Sequence, residues 1–137
     1  MQKINEVCLI EDEHIQNFLN KKFIEKTNLV TFVSEFMNGK QAFDAMEKRV
    51  QSGEALPDIL LLDFNMPVWD GWDFFKAYMS LPGSATSTIY ILTSSLSEDD
   101  HKMAEQFGLR ERYLEKPLAF EKLKSVLSAH SQHCDRT

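Results

Sequence analysis

The chain has 137 residues, 43% hydrophobic and 26% charged, a composition typical of a globular protein with one domain. Its formal net charge of −6 argues against a nucleic-acid surface, because phosphate binding requires clustered lysine and arginine. It contains neither the roughly 18 consecutive apolar residues of a membrane span nor the apolar core of a secretory signal, so we expect a cytoplasmic protein without a membrane or nucleic-acid partner.

Five apolar runs that suit buried strands are separated by stretches with helical periodicity. The runs cover residues 7–10, 29–33, 59–62, 89–92 and 113–114. The first helical stretch carries apolar residues at three- and four-residue spacing, namely Ile15, Phe18, Leu19 and Phe23. We expect the fourth helix to end at Gly108 and the fifth to follow Pro117.

Strands that alternate with helices indicate parallel βαβ units with right-handed crossovers. We therefore predict an α/β fold, with a doubly wound five-stranded parallel sheet and helices on both faces. No internal repeat or long linker interrupts the pattern. We expect a single domain over residues 1–137, with its core at about 6–130 and a polar tail at 131–137.

Polar residues follow four of the predicted strands, and the carboxyl ends of parallel strands are where ligands bind in open sheets. These residues are Glu11 and Asp12, Asp63 and Asn65, Thr93, and Lys116. Carboxylates about 5 Å apart repel by roughly 3 kcal/mol per pair at an effective dielectric of 20, so they hold protons or recruit a cation. Oxygen ligands favour Mg²⁺ or Mn²⁺ over zinc, and Asp12 and Asp63 fit that role.

Each of these residues also has an ordinary structural interpretation when it is considered alone. Asp63 would serve equally well as a helix cap, Thr93 as a strand-end hydroxyl and Lys116 as a solvated lysine. Together these interpretations weaken, because coincidence would have to place all the residues at one edge of the sheet.

Four motifs in chain order make the sequence resemble the receiver domains of two-component response regulators. They are CLIEDE, LLLDFNMPVWDG, YILTSS and YLEKP, and the resemblance covers residues 6–130. It implies a flavodoxin-like receiver fold with strand order 2-1-3-4-5, of the stand-alone, chemotaxis-regulator-like kind. Because few residues follow the fifth helical stretch, we expect no attached effector domain.

The resemblance implies that Asp63 is a phosphoacceptor in a phosphorelay. The donor would be a phosphohistidine on a sensor histidine kinase or a histidine phosphotransfer protein. Mg²⁺, for which Mn²⁺ would substitute, would be held by Asp12, Asp63 and the backbone carbonyl of Asn65, with Glu11 completing the acidic pair, directly or through water.

The resemblance also implies a switch and its output. Thr93 would hydrogen-bond the phosphoryl oxygens, Lys116 would pair with them, and Tyr113 would move together with Thr93. The altered surface would bind an effector protein in trans or form a homodimer through the fourth and fifth helices and strands. Such a protein is a signalling switch, not an enzyme with a separate substrate, although it catalyses its own phosphorylation and slow autodephosphorylation.

Two other functions fit part of the pattern. A metal-dependent phosphatase with an aspartate nucleophile would place a second aspartate two positions on as general acid, where this chain has Asn65. A receiver-like interaction module would keep the fold without using phosphate. Trp69 stands where the family more commonly has a smaller apolar residue, and its indole is either a gate for the donor or a packing or surface aromatic.

Overall fold

A computed structural model of the chain describes residues 4–64, 69–93, 98–106, 108–109, 112–116 and 118–134. They form a five-stranded sheet in the order β2-β1-β3-β4-β5, and every neighbouring pair is parallel. The strands are β1 (Ile4–Ile10), β2 (Val30–Phe36), β3 (Ile59–Asp63), β4 (Thr88–Thr93) and β5 (Tyr113–Glu115). The predicted fold class and strand order are therefore confirmed.

Five helices connect the strands or follow them. They are α1 (His14–Lys26), α2 (Gly39–Ser52), α3 (Gly71–Met79), α4 (Glu98–Gln106) and α5 (Phe120–Cys134), with a short 3-10 turn at Ser84–Thr86. In the part of the chain that the structure describes, none of them has the length and apolar character needed to cross a bilayer.

Each face of the sheet buries its own hydrophobic cluster, because successive residues of a strand point to opposite faces. On one face Leu60 and Leu62 of β3 pack in a cluster with residues of α2 and α3. On the other face Ile59 and Leu61 pack with residues of α1 and α5. All five residues of β3 are buried, so the central strand is held rigidly from both sides up to Asp63.

Three of the four residues in the apolar stripe of α1 face solvent, whereas Phe23 packs against the core. Ile15, Phe18 and Leu19 are 73%, 59% and 43% exposed, whereas Asn17 on the opposite side is 1% exposed. The Asn17 side-chain amide donates a 2.8 Å hydrogen bond to the backbone carbonyl of Glu11, which ties the buried side of α1 to the end of β1. The spacing correctly predicted a helix, but it did not reveal which side packs on the sheet.

The ends of the last two helices test the remaining expectations. Gly108 adopts a left-handed backbone with φ of 73° two residues beyond the last residue of α4, and its N–H donates to the Glu105 carbonyl at 3.2 Å, as a helix-ending glycine should. α5 continues past residue 130 to Cys134, so residues 131–134 of the expected polar tail are helical, and Ser131 is fully buried. No glycine or proline follows Pro117 in the sequence, so no helix-breaking residue ends α5 near residue 130.

Candidate functional site

Asp63 lies at the centre of the candidate site, as the last residue of β3. Its strand runs between β1 and β4, and the residue pairs in register with Leu92. The side chain is only 1% exposed. Because β1 and β3 flank the point where the strand order reverses, a crevice is expected at their carboxyl ends, and Asp63 lies in that position.

Glu11 and Asp12 complete an acidic cluster with Asp63. Each of the three side chains offers a carboxylate oxygen, and these oxygens lie within 4.8 Å of one another. Glu11 is fully buried and Asp12 is partly buried. Burial, followed by the neighbouring Asp63 carboxylate, raises the pKa of Glu11 to about 8, although Lys116 opposes the shift. The cluster is therefore short of positive charge.

Lys116 bridges the two buried carboxylates. Its ammonium nitrogen lies 2.9 Å from Asp63 Oδ1 and 3.0 Å from Glu11 Oε2. Burial by itself would lower the pKa of Lys116, but the two carboxylates outweigh it and raise that pKa, so the side chain stays cationic. The backbone N–H of Lys116 also donates to the Thr93 carbonyl at 2.9 Å, which aligns the end of β5 with the end of β4.

The donor set of the cluster fits a hard divalent cation. All three groups are carboxylates, and no thiol or imidazole belongs to this group among the described residues. When all three are ionised, the single ammonium of Lys116 leaves two negative charges uncompensated. Mg²⁺ or Mn²⁺ would supply that charge. Asn65, whose carbonyl was expected to be a ligand, lies outside the described residues.

Thr93 and Tyr113 lie on the same face of the sheet. Thr93 ends β4 and is 2% exposed; in register it pairs with Glu115, while Ile91 pairs with Tyr113. Because alternate residues share a face, the two side chains are diagonal neighbours. Tyr113 is 38% exposed, and its ring meets His101 of α4 edge-on at 6.4 Å between centroids. The aromatic therefore sits at the outer surface, beside α4.

The structure adds one residue to the site that sequence reasoning did not single out. Asn17 is buried against the carbonyl of Glu11, and its side-chain oxygen has no hydrogen-bond partner among the described residues. Asn17 lies opposite the apolar stripe of α1, where periodicity would place solvent. No pattern in the sequence distinguishes such a buried asparagine from an exposed one.

Sequence comparison gives a family match and moderately similar relatives. The family described as response regulator receiver domain matches residues 7–128. A probable C4-dicarboxylate response regulator of Halalkalibacterium halodurans is 30% identical over 130 residues, which is 92% of this chain and 51% of the relative. A probable methanogenesis regulatory protein of Methanothrix harundinacea is 29% identical over 121 residues, or 88% of this chain and 77% of the relative.

Solved structures share the same fold. A two component response regulator from Cytophaga hutchinsonii has a TM-score of 0.82 at 29% identity, covering 96% of this chain and 99% of that one. The receiver domain of a Pseudomonas aeruginosa sensor histidine kinase, solved with a magnesium ion in its active site cleft, has a TM-score of 0.76 at 22% identity and covers 93% and 98%. At 22% identity, the likeness to the Pseudomonas aeruginosa domain concerns the fold alone.

Proposed function

The chain belongs to the response regulator receiver domain family, and from this premise we propose that it is a phosphorylation-dependent switch whose phosphoacceptor is Asp63. The observation that carries the proposal is the placement of this buried carboxylate, ion-paired to Lys116 and within 4.8 Å of two further acids. We propose that the protein acts as a single receiver domain over residues 1–137, in the cytoplasm, without nucleic acid or membrane.

Phosphoryl transfer to a carboxylate requires an oxygen nucleophile, its in-line approach to phosphorus and neutralisation of the charge on the phosphoryl oxygens. One Asp63 oxygen would attack phosphorus as the bond to the donor imidazole nitrogen breaks, and that nitrogen keeps the electron pair. Lys116 is already 2.9 Å from Asp63 and would follow the new negative charge. Thr93 would donate its hydroxyl to a phosphoryl oxygen.

Mg²⁺, or Mn²⁺ in its place, would be held by Asp12, Asp63 and the backbone carbonyl of Asn65, with Glu11 bound directly or through water. When bound, the ion neutralises charge on the transferred phosphoryl group. A cation would also stabilise the protein itself, because burial and then the neighbouring Asp63 carboxylate raise the pKa of Glu11, and Lys116 does not fully offset them.

The switch would run from Thr93 to the face formed by α4, β5 and α5. A hydrogen bond from Thr93 to the phosphoryl group draws that side chain inward and vacates space for Tyr113. Tyr113 would then leave its edge-on contact with His101, which changes the surface beside α4. Phosphate shifts the population only as far as it binds one state better. An effector in trans, or a second copy of the chain, would read this surface.

The phosphodonor would be a sensor histidine kinase or a histidine phosphotransfer protein. The exposed stripe of Ile15, Phe18 and Leu19 supports protein contact beside the acidic cluster. It begins in the first turn of α1, three residues after Asp12. A protein that carries a phosphohistidine to Asp63 has to cover that turn. Burying these side chains against an apolar partner surface would contribute to its affinity.

The test is phosphorylation by a small donor. Incubation with Mg²⁺ and acetyl phosphate or phosphoramidate should add one phosphoryl group by intact mass, with the base lability of an acyl phosphate. Omitting Mg²⁺ or substituting Asp63→Asn should abolish the adduct. An adduct that survives Asp63→Asn would refute the assignment, and the absence of any adduct would favour an interaction module. Turnover of free phosphomonoesters would favour the phosphatase.

A further inference from the structure

α1 buries two asparagines on the side where a helix packed on a sheet usually buries apolar side chains. Asn17 is 1% exposed, and Asn20, three residues further along the same side, is 4% exposed. The Asn17 Oδ1 atom has no hydrogen-bond partner among the residues that the structure describes. A buried, unpaired amide oxygen destabilises a fold, and an apolar side chain would not carry that penalty. Stability alone therefore does not account for an asparagine at position 17.

The other half of the Asn17 amide holds the peptide unit between two acids of the site. Its Nδ2 donates to the Glu11 carbonyl at 2.8 Å. That carbonyl belongs to the same planar peptide unit as the Asp12 N–H, so the hydrogen bond fixes the orientation of the unit that leads into Asp12. The Glu11 N–H in turn donates to the Phe36 carbonyl of β2 at 3.1 Å. The backbone of Glu11 is thus held at both its N–H and its carbonyl.

Asn17 also closes the loop between β1 and α1. In the described part of the chain, the side chain of Glu13, the N-cap of α1, makes no capping hydrogen bond, so the usual restraint on a helix start is missing. Asn17, whose own N–H donates to the Glu13 carbonyl at 3.0 Å, instead reaches back six residues to Glu11. Residues 11–13 are therefore tied to α1 through a buried side chain that comes from the helix itself.

We infer that Asn17 is a positioning residue for the divalent cation: its bond to the Glu11 carbonyl sets the arrangement of the acidic cluster. This inference rests on the proposed function, in which the cluster holds Mg²⁺. Carboxylates that already stand in place lose less freedom when the ion binds. Mg²⁺ demands near-ideal octahedral geometry, whereas the larger Ca²⁺ accepts varied geometries. Asn17 thereby determines both the affinity of the cluster for Mg²⁺ and its preference for Mg²⁺ over Ca²⁺.

The test measures Mg²⁺ and Ca²⁺ binding to the full chain by isothermal titration calorimetry, and the melting temperature in EDTA shows that each variant is folded. Asn17→Leu, which leaves the charge of the chain unchanged, should raise the Mg²⁺ Kd about tenfold, at the lower end of the effect of losing a group that supports a metal ligand. The Ca²⁺ Kd should rise less. Asn17→Ala, which removes the same hydrogen bond without adding bulk to the interior, should change both Kd values in the same way.

The matched control is Asn20→Leu, which makes the same substitution on the same buried side of α1 and should leave both Kd values unchanged. If both Asn17 variants keep the Mg²⁺ Kd of the wild type, Asn17 serves packing only and the inference is overturned. An equal rise in the Mg²⁺ and Ca²⁺ Kd values would overturn it too, because a change of geometry discriminates between the ions. If the wild type itself binds no Mg²⁺, the proposed metal site fails and the positioning role fails with it; an unchanged Mg²⁺ Kd in the variants alone leaves that site standing.

Discussion

Replacing Lys116 by methionine should destabilise the metal-free protein, because it leaves Asp63 and Glu11 buried without their cation. Each ion pair of Lys116 joins charges about 3 Å apart, and its Coulomb attraction is about 5 kcal/mol at an effective dielectric of about 20, before the cost of desolvation is subtracted. Removing one partner of a buried ion pair costs about 3 to 5 kcal/mol. Glu11, with its pKa of about 8, already holds a proton near neutral pH, so the charge left unpaired is mainly that of Asp63 and we expect the lower end, about 3 kcal/mol.

That loss corresponds to a fall of about 10 °C in melting temperature for a chain of this length. Thermal and urea unfolding in EDTA near neutral pH would measure it. Lys124→Met is the matched control, since it makes the same chemical change at an exposed position of α5 and should change stability little. Saturating Mg²⁺ should narrow the difference between Lys116→Met and wild type, because the ion replaces part of the lost charge. Equal unfolding midpoints of Lys116→Met and wild type in EDTA would refute the charge-balance reasoning. A difference between their midpoints that Mg²⁺ leaves unchanged would refute it too.

Three other predictions follow from buried groups. In EDTA, stability should fall as pH rises from 4.5 to about 8, because folded Glu11 keeps a proton that the unfolded chain releases; urea unfolding of Glu11→Gln should lack this part of the slope. Burial raises the pKa of the Cys8 thiol to about 12, so iodoacetamide should label Cys8 in a Cys134→Ser background only when the protein unfolds, and rapid labelling of the native protein would contradict this. Gly71→Ala should cost about 1 to 3 kcal/mol in urea unfolding, because the new Cβ would lie 1.9 Å from the Phe64 ring; wild-type stability would show that the ring moves freely.

Much of the fold could be predicted from local patterns. The run at 59–62 reads as a buried strand because a parallel strand covered on both faces carries aliphatic residues without alternation, and all of β3 is buried. Gly108 marks the end of α4 because only glycine adopts a left-handed backbone at no steric cost. Residues 131–134 of the expected polar tail continue α5, since polar composition does not end a helix that one side still anchors through Ser131.

The candidate site was predictable only in part. Strand ends in a parallel sheet share one edge, so Glu11, Asp63 and Lys116 were expected to meet, and the structure places them within ion-pair distance. The sequence offered no means of finding the contact between Trp69 and Gly39, because it joins residues 30 positions apart through a close backbone approach.

By itself the sequence determined the order of strands and helices, the parallel sheet and the edge at which polar residues gather, because these follow from periodicity and chain direction. Only the tertiary structure decided that α1 turns Asn17 inward and its apolar stripe outward, that one lysine serves two carboxylates, and that Trp69 is held against α2. Periodicity defines the faces of an element but not which face packs. That choice depends on contacts between residues far apart in the chain, which form only when the whole domain folds.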